Sequence, residues 1–266
     1  MKYDNIILLS DLDGTLLNEK REVSQENIEA IQYFIDNGGR FGIATGRDIE
    51  NVLVKFAAVP LNFHCIFSNG SVLYDQEKRE VLAEMALNQD KIIPFLERCH
   101  KEHPEIGIQI HSSEGTVFYP DFSMVAEDIQ ETHKPFSVRT LEELKKISLR
   151  KVLFITPKGD FSWIISESEG LLDVIDRVNS GKNYFEFLPK GSSKGNMVKE
   201  LRQYCNPKDK IYAVGDFYND LEMVIEADVG ILCETAPEEL KKQADFITVS
   251  NSQSVISDVV RRIMEL

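Results

Sequence analysis

The sequence predicts an α/β protein in which a parallel sheet flanked by helices is interrupted by an inserted α+β segment. Ile6–Leu9 is an unbroken aliphatic run, typical of a parallel strand that is buried on both faces. Short apolar runs of this kind alternate with helical patterns near both ends of the chain. Between about residues 80 and 185 the pattern changes to paired strands joined by short turns.

The two end segments predict the elements of one parallel sheet with helical crossovers. Ser24 is a suitable N-cap for a helix with Ile31 and Phe34 on its apolar face, and Gly38-Gly39 ends that helix. Further strands are predicted at Phe41–Ala44, Cys65–Phe67, Ile211–Val214, Val229–Leu232 and Phe246–Val249, and further helices at Ile49–Phe56, Met197–Leu201, Leu221–Ile225 and Val255–Ile263.

The inserted segment predicts antiparallel pairing. Gly107–His111 and Thr116–Tyr119 are separated by a short polar turn, as are Val152–Thr156 and Phe161–Ser166, so both pairs are expected to be strands. We therefore expect a discontinuous core domain, residues 1–80 and 186–266, and an inserted domain, residues 81–185.

The charge of the chain limits the partners that it can bind. Among 266 residues, 44 are acidic and 30 are Lys or Arg, which gives a formal net charge of −14. Nucleic-acid binding is not expected, because it requires a surplus of cations to replace phosphate counterions. No apolar run approaches the roughly 20 residues of a membrane span, and no signal peptide is visible. Four scattered cysteines without a C-x-x-C pair predict reduced thiols and a cytoplasmic protein.

Two acidic motifs follow predicted strands of the core. Asp11-Leu12-Asp13-Gly14-Thr15 follows the first strand, and Gly215-Asp216-Phe217-Tyr218-Asn219-Asp220 follows Ile211–Val214. Ligands of open α/β sheets bind at the carboxyl ends of the strands, and crowded carboxylates require a cation such as Mg²⁺. Alternatives remain: an acidic turn or calcium loop for the first motif, although its Gly comes early for such a loop, and helix capping for the second.

Three further motifs offer groups that suit a phosphate. Thr45-Gly46-Arg47 lies between a predicted strand and a helix, where a hydroxyl and backbone N–H groups favour anions. Lys194 lies at another helix start and could neutralise a phosphoryl oxygen. Ser68-Asn69-Gly70 ends a third strand. Taken alone, each motif also fits a plain turn, and a single lysine is usually a surface residue.

In order and spacing, the first acidic motif, Thr45-Gly46-Arg47, Lys194 and the second acidic motif resemble the four motifs of the haloacid dehalogenase superfamily. The long insertion after Ser68-Asn69-Gly70 resembles the Cof-type branch with a C2, subtype B, cap. The resemblance covers essentially the whole chain. It implies a Rossmann-like core with an inserted α+β cap domain, and phosphatase activity.

The resemblance also implies a role for each motif residue. Asp11 is the expected nucleophile, and Asp13 the general acid and base, with its backbone carbonyl on Mg²⁺. Asp11 and Asp216 complete the protein ligands of the metal, and Asp220 orients them. The expected phosphoryl-binding residues are Thr45, Gly46, Asn69, Lys194 and Asn219, whereas Arg47 either joins them or supports the fold or cap.

The expected activity is Mg²⁺-dependent hydrolysis of a small phosphorylated metabolite, with sugar phosphates as the leading class. A sugar phosphomutase of the same superfamily and a non-catalytic phospholigand-binding protein are the alternatives. Substrate identity is expected to depend on the cap, and no feature of the sequence indicates an oligomeric state. The polar or aromatic candidates there are His111, His133, Arg139, Arg150, Lys151 and Trp163.

Overall fold

The computed structural model describes residues 2–124 and 136–263. The chain forms two compact units: Met1–Gly46, Phe56–Ala83 and Ser193–Leu266 form the first, and Arg47–Lys55 and Glu84–Ser192 form the second. The chain therefore passes between the units at residues 46/47 and 55/56 as well as at 83/84 and 192/193.

Within the described ranges the strands and helices are as follows. The strands are β1 (Ile6–Ser10), β2 (Arg40–Ile43), β3 (Cys65–Phe67), β4 (Val72–Asp75), β5 (Glu80–Glu84), β6 (Gly107–Ser112), β7 (Gly115–Tyr119), β8 (Ser137–Val138), β9 (Leu149–Ile155), β10 (Ile175–Gly181), β11 (Tyr184–Pro189), β12 (Lys210–Gly215), β13 (Val229–Cys233) and β14 (Phe246–Thr248). The α-helices are α1 (Gln25–Asp36), α2 (Ile49–Lys55), α3 (Gln89–Glu102), α4 (Leu141–Leu144), α5 (Ser162–Glu167), α6 (Lys194–Leu201), α7 (Leu221–Glu226), α8 (Glu238–Lys241) and α9 (Val255–Ile263).

The first unit is built on a five-stranded parallel sheet in the order β14-β13-β12-β1-β2. In the register of this sheet, Leu9 of β1 lies opposite Ala213 of β12 and Gly42 of β2. Leu9 and Ala213 belong to one apolar cluster with Met197 of α6 and Met223 of α7. Since successive side chains of a strand alternate, Leu8 points to the opposite face, so β1 is buried on both sides as its composition predicts.

Local sequence signals place the helices of this unit. The Ser24 side chain accepts the backbone N–H of Asn27 and caps α1, as predicted. Ser193 caps α6 in the same way, accepting from Asn196 at 3.0 Å. The Asn27 side chain also accepts the backbone N–H of Ile256 at 2.9 Å, which joins α1 to the start of α9. A short sheet in the order β3-β4-β5 completes the unit.

The second unit contains a six-stranded sheet in the order β10-β11-β9-β6-β7-β8, in which only β7 and β8 pair in parallel. One face of the sheet packs with Phe95 of α3, Leu144 of α4 and Ile164 of α5. The α/β core with an α+β insertion is therefore confirmed. None of the helices in residues 2–124 and 136–263 is long and apolar enough to cross a membrane.

Three expectations differ from the structure. Cys65–Phe67, predicted as a strand of the parallel sheet, makes one isolated parallel bridge to it, Ala44 to Ile66, and pairs antiparallel with β4 in a separate sheet. Phe161–Ser166, predicted as a strand, lies in and before α5. The Asp160 carboxylate accepts the Ser162 backbone N–H at 3.0 Å, at the start of that helix. A short apolar run by itself does not distinguish a strand from a helix. The boundary predicted at residues 185/186 falls within β11, whose antiparallel pairing with β9 and β10 keeps this strand in the second unit.

Candidate active site

Asp11 lies at the carboxyl end of β1, where its position is fixed by the backbone. Its N–H donates to the Val214 carbonyl at 2.9 Å, continuing the ladder between β1 and β12. The Ser10 hydroxyl donates to the Asp11 carbonyl at 2.7 Å. The Asp11 side chain is buried, and its pKa is well above the usual range because of burial and the neighbouring Asp220 carboxylate, against the opposing effect of Lys194.

Lys194, the first residue of α6, is buried in the middle of the acidic residues. Its ammonium donates to Asp11 Oδ1 at 2.5 Å and to Asp220 Oδ1 at 2.6 Å, and its side chain is 0% exposed. Burial alone would lower the pKa of Lys194, but the Asp11 and Asp220 carboxylates raise it above its ordinary value. The lysine is therefore a fixed cation inside the site.

The second acidic motif brings two more carboxylates to the same place. Asp220 Oδ2 accepts the backbone N–H groups of Asp216 at 3.0 Å and Phe217 at 3.1 Å, so both of its oxygens are engaged. Asp216 Oδ1 accepts the Thr15 hydroxyl at 3.0 Å. Burial and the Asp220 carboxylate raise the pKa of Asp216 to about 6.

The three carboxylates have the donor chemistry of a divalent metal site. One oxygen each from Asp11, Asp216 and Asp220 lies within 4.8 Å of the other two. In an octahedral Mg²⁺ site with bonds of about 2.1 Å, ligand oxygens are up to about 4.2 Å apart. The cluster is thus close to the size that such an ion requires. The raised pKa values of Asp11 and Asp216 reflect their burial and the neighbouring carboxylates.

The predicted phosphate-binding turns, which follow β2 and β3, lie against one another in the first unit. The Asn69 N–H donates to the Thr45 carbonyl at 3.1 Å, and a Cβ at Gly46 would lie 2.7 Å from Asn69 Oδ1. A Cβ at Gly70 would lie 2.1 Å from the Ser193 carbonyl oxygen, just before Lys194, so only glycine permits this approach. The turns after β2 and β3 are thereby joined to the start of α6.

The turn at Asn69 is conformationally strained. Ser68, Asn69 and Gly70 have consecutive φ values of 50°, 55° and 94°. Left-handed conformations at residues other than glycine cost about 1–3 kcal/mol each and are concentrated at functional sites. The strain therefore supports a role for this turn beyond the chain reversal that the sequence alone allowed.

Three other predicted site residues differ from Asp11, Asp220 and Lys194 in burial or in the unit to which they belong. Asp13 and Asn219 are exposed, Asp13 after β1 and Asn219 in the turn Tyr218–Asp220. Arg47 is buried in the second unit, where its guanidinium donates to Asn51 at 3.1 Å. This contact accords with a supporting role for Arg47 in α2, which the sequence left as an alternative to phosphate binding.

Two supporting residues were missed at the level of sequence. Thr15 belongs to the first acidic motif but was assigned no role, and its hydroxyl now orients Asp216. Ser193 caps the helix that carries Lys194. The capping pattern, a serine directly before a helical stripe, was the available signal for Ser193, whereas nothing local connects Thr15 to a residue 201 positions away.

The predicted specificity candidates of the inserted segment are mostly held by neighbours within the second unit. His111 is buried on β6, and His133 lies outside the described residues. The remaining contacts are Arg139 to Glu114 at 3.0 Å, Arg150 to Glu84 at 2.6 Å, Lys151 to Glu186 at 3.1 Å and the Trp163 indole N–H to Glu102 at 3.2 Å.

Comparison with known proteins finds relatives that match over almost the whole chain. A Streptococcus pyogenes protein described as a candidate phosphatase is 28% identical over 264 residues, covering 95% of this chain and 96% of that protein. The 5-amino-6-(5-phospho-D-ribitylamino)uracil phosphatase YwtE of Bacillus subtilis is 26% identical over 277 residues, with 96% of each chain covered. A haloacid dehalogenase-like hydrolase from Bacteroides thetaiotaomicron has a similar structure, with a TM-score of 0.86 at 25% identity over 98% of this chain and 99% of its own.

The family assignment rests on the whole chain. The sequence profile of the haloacid dehalogenase-like hydrolases matches residues 8–260, which includes all the motifs described above. The resemblance that these motifs indicated is confirmed, and the chain belongs to the haloacid dehalogenase-like hydrolase family.

Proposed function

We propose that this phosphatase hydrolyses a phosphate monoester of a small polyhydroxylated metabolite, with sugar phosphates as the first class, through an aspartyl-phosphate on Asp11. The observation that carries the proposal is the buried Lys194 ammonium, 2.5 Å from Asp11 and 2.6 Å from Asp220, beside a third carboxylate. The name of the Bacillus subtilis relative YwtE places its phosphate on a ribityl chain, which supports a polyol or sugar phosphate here.

In the first step, the Asp11 carboxylate attacks phosphorus. The bond between the Asp11 oxygen and phosphorus forms as the bond from phosphorus to the leaving alcohol breaks. Asp13 gives its proton to the leaving oxygen, a role that its exposed side chain permits. Lys194 holds Asp11 in place and neutralises charge on the transferring group.

In the second step, the same residues release phosphate. Asp13, now ionised, takes a proton from water as the water oxygen attacks phosphorus and the bond to Asp11 breaks. Thr45, Gly46, Asn69 and Asn219 are proposed to hold the phosphoryl oxygens through both steps. The enzyme then returns to its starting protonation state, with Asp13 protonated and Asp11 ionised.

Mg²⁺ is proposed as the cofactor. Asp11 and Asp216 would ligate it through carboxylate oxygens and Asp13 through its backbone carbonyl, while Asp220, whose two oxygens are engaged by Lys194 and backbone N–H groups, would orient the site. When bound, the ion supplies positive charge that stabilises the phosphoryl oxygens in the transition state. The Thr15 hydroxyl would keep the Asp216 carboxylate turned toward the ion.

The second unit is proposed to be the cap domain that carries substrate specificity. A cytoplasmic location also stays a prediction, consistent with four cysteines that are free thiols. The reaction proposed for Asp11 and Asp13 in the first unit depends on neither the cap role nor the cytoplasmic location.

The test is phosphate release from an aryl phosphate and from a panel of sugar, polyol and nucleotide phosphates, ranked by kcat/KM. We expect turnover that requires Mg²⁺, is abolished by Asp11→Asn and is unchanged by Asp36→Asn, a matched replacement of an exposed aspartate in α1. Retained turnover in Asp11→Asn would refute the aspartyl-phosphate route. Isomerisation of a hexose phosphate without phosphate release would identify a mutase, and tight binding without turnover a sensor.

A further inference from the structure

The segment Arg47–Lys55 follows the phosphate-binding turn Thr45–Gly46 directly, yet it belongs to the second unit. The chain leaves the first unit immediately after Gly46 and returns at Phe56. The backbone on one side of the turn is held by β3, whose Ile66 carbonyl accepts the Thr45 N–H at 2.8 Å. On its other side the turn is continued by Arg47 and Asp48, which lead directly into α2.

Asp48 fixes the start of α2 with both of its carboxylate oxygens. Oδ1 accepts the backbone N–H of Asn51 at 2.6 Å, which satisfies a free donor in the first turn of the helix. Oδ2 accepts the hydroxyl of Thr116, a residue of β7 that is 68 positions away. Asp48 and Thr116 are 7% and 8% exposed, so neither partner can be replaced by bulk water without rearrangement.

Two other features of the second unit surround the contact between Asp48 and Thr116. A Cβ at Gly115, at the tip of the hairpin β6–β7, would lie 3.0 Å from the Glu50 carboxyl group, so α2 lies directly on that tip. On the sheet, Thr116 lies opposite His111, and His111 lies opposite Lys151, which is paired with Glu186. A row of buried polar side chains therefore crosses four strands and ends at Asp48.

We propose that Asp48 is a positioning residue for the phosphate-binding turn, and that Thr116 sets the position of its carboxylate. This inference rests on the proposed function, since it takes Thr45–Gly46 as the phosphoryl-binding turn. Asp48 is two residues beyond Gly46 in the chain, so a carboxylate that fixes the first turn of α2 restricts the backbone that directly follows the proposed phosphate-binding turn. Misplacement of about 1 Å in such a site can cost roughly 100-fold in rate.

The first measurement is the Kd of inorganic phosphate, by calorimetry in excess MgCl₂, for the wild type and Thr116→Val. Valine keeps the shape of threonine and removes only the hydroxyl. We expect phosphate binding to weaken roughly 10-fold and kcat/KM for an aryl phosphate to fall roughly 10- to 100-fold. Thr116→Ser, which restores the hydroxyl, should recover most of both. Asp48→Asn should resemble Thr116→Val, because an amide offers one acceptor oxygen where the carboxylate offers two.

The control is Thr248→Val in the first unit. The Thr248 hydroxyl donates to Asp258 at 2.9 Å, and this pair is as buried as the Thr116–Asp48 pair. Thr248→Val and Thr116→Val should lower Tm by similar amounts, but only Thr116→Val should weaken phosphate binding. Equal phosphate Kd values in wild type and Thr116→Val, or equal weakening in the two valine variants, would overturn the inference.

The two proposals fail in different ways. A wild type that binds phosphate but hydrolyses no monoester contradicts the proposed function, while the effect of Thr116→Val on the phosphate Kd still decides the role of Asp48. A wild type that turns over normally, with Thr116→Val unchanged, contradicts only the positioning role. A wild type that binds no phosphate overturns both.

Discussion

Replacing Lys194 with methionine removes the cation on which the geometry of the site depends. Methionine has a similar length and no charge, so the substitution leaves Asp11 and Asp220 buried without the ammonium that lies 2.5 and 2.6 Å from them. Removing one partner of a buried ion pair costs about 3–5 kcal/mol, because the remaining charge is left uncompensated. In a chain of this size, 1 kcal/mol shifts Tm by about 2–4 °C, so Lys194→Met should lower Tm by about 6–20 °C.

The opposite sign is expected for Asp11→Asn, because Lys194 keeps its ion pair with Asp220 at 2.6 Å while one of three crowded carboxylates loses its charge. Burial and the Asp220 carboxylate raise the pKa of Asp11, which means that the folded protein disfavours the ionised form. An acid with a raised folded-state pKa costs stability once the pH exceeds its unfolded value, so a neutral amide should raise Tm at pH 7 to 8. Both variants should be inactive, yet one should be less stable and the other more stable than the wild type.

The assay is thermal unfolding in a chelator at pH 7.5, for both single variants and the double variant. In the double variant, asparagine relieves part of the repulsion that Lys194→Met creates, so its Tm should lie above that of Lys194→Met. Excess MgCl₂ should raise the Tm of Lys194→Met more than that of the wild type, because the divalent ion replaces the lost charge. A Tm for Lys194→Met within 2 °C of the wild type, or an equal fall in Asp11→Asn, would refute the reasoning.

Three shorter predictions concern other contacts. Thr15→Val removes the hydroxyl that orients Asp216 and should raise the Mg²⁺ concentration for half-maximal activity about 10- to 100-fold. Gly14→Ala should abolish activity in a folded protein, because a Cβ there would lie 2.4 Å from Asp216 Oδ2 at φ +86°; circular dichroism is the check on folding. The pKa of Asp258 is below its ordinary value: burial would raise it, but hydrogen bonds from Thr248 and Arg261 lower it further. The ionised Asp258 therefore stabilises the folded protein above the unfolded pKa, and this stabilisation is lost as the pH falls below about 4. Asp258→Asn should therefore flatten the decline of Tm between pH 5 and 3.

The core was predictable from sequence because its signals are local. Buried strands favour continuous apolar runs, and Cys65–Phe67 was predicted with the observed limits, although it pairs antiparallel with β4 and not within the parallel sheet. The meeting of the two acidic motifs was predictable for a topological reason. Polar residues that follow neighbouring parallel strands come to the same end of the sheet, and Asp11 and Asp216 do so after β1 and β12. The roles of these residues in catalysis stay predictions.

The remaining features depend on contacts between distant residues. Lysine is usually exposed, and only the three-dimensional arrangement of Asp11 and Asp220 shows why Lys194 is fully buried. Phe161–Ser166 was assigned as a strand because a short apolar run fits either state, and packing of Ile164 against the sheet of the second unit decides for a helix. The bond from Thr116 to Asp48 leaves no pattern in either segment.

The arrangement of charge in the site explains how a chain with a net charge of −14 can accept a phosphate ester. Asp11, Asp216 and Asp220 bring three negative charges against the single positive charge of Lys194, which leaves the site at −2 when all are ionised. A phosphate dianion would be repelled by that field, and the proposed divalent ion would cancel it. Lys194 alone therefore cannot prepare the site for substrate, since it is already shared by two carboxylates. If the divalent ion binds as proposed, we expect it to bind before the phosphate ester.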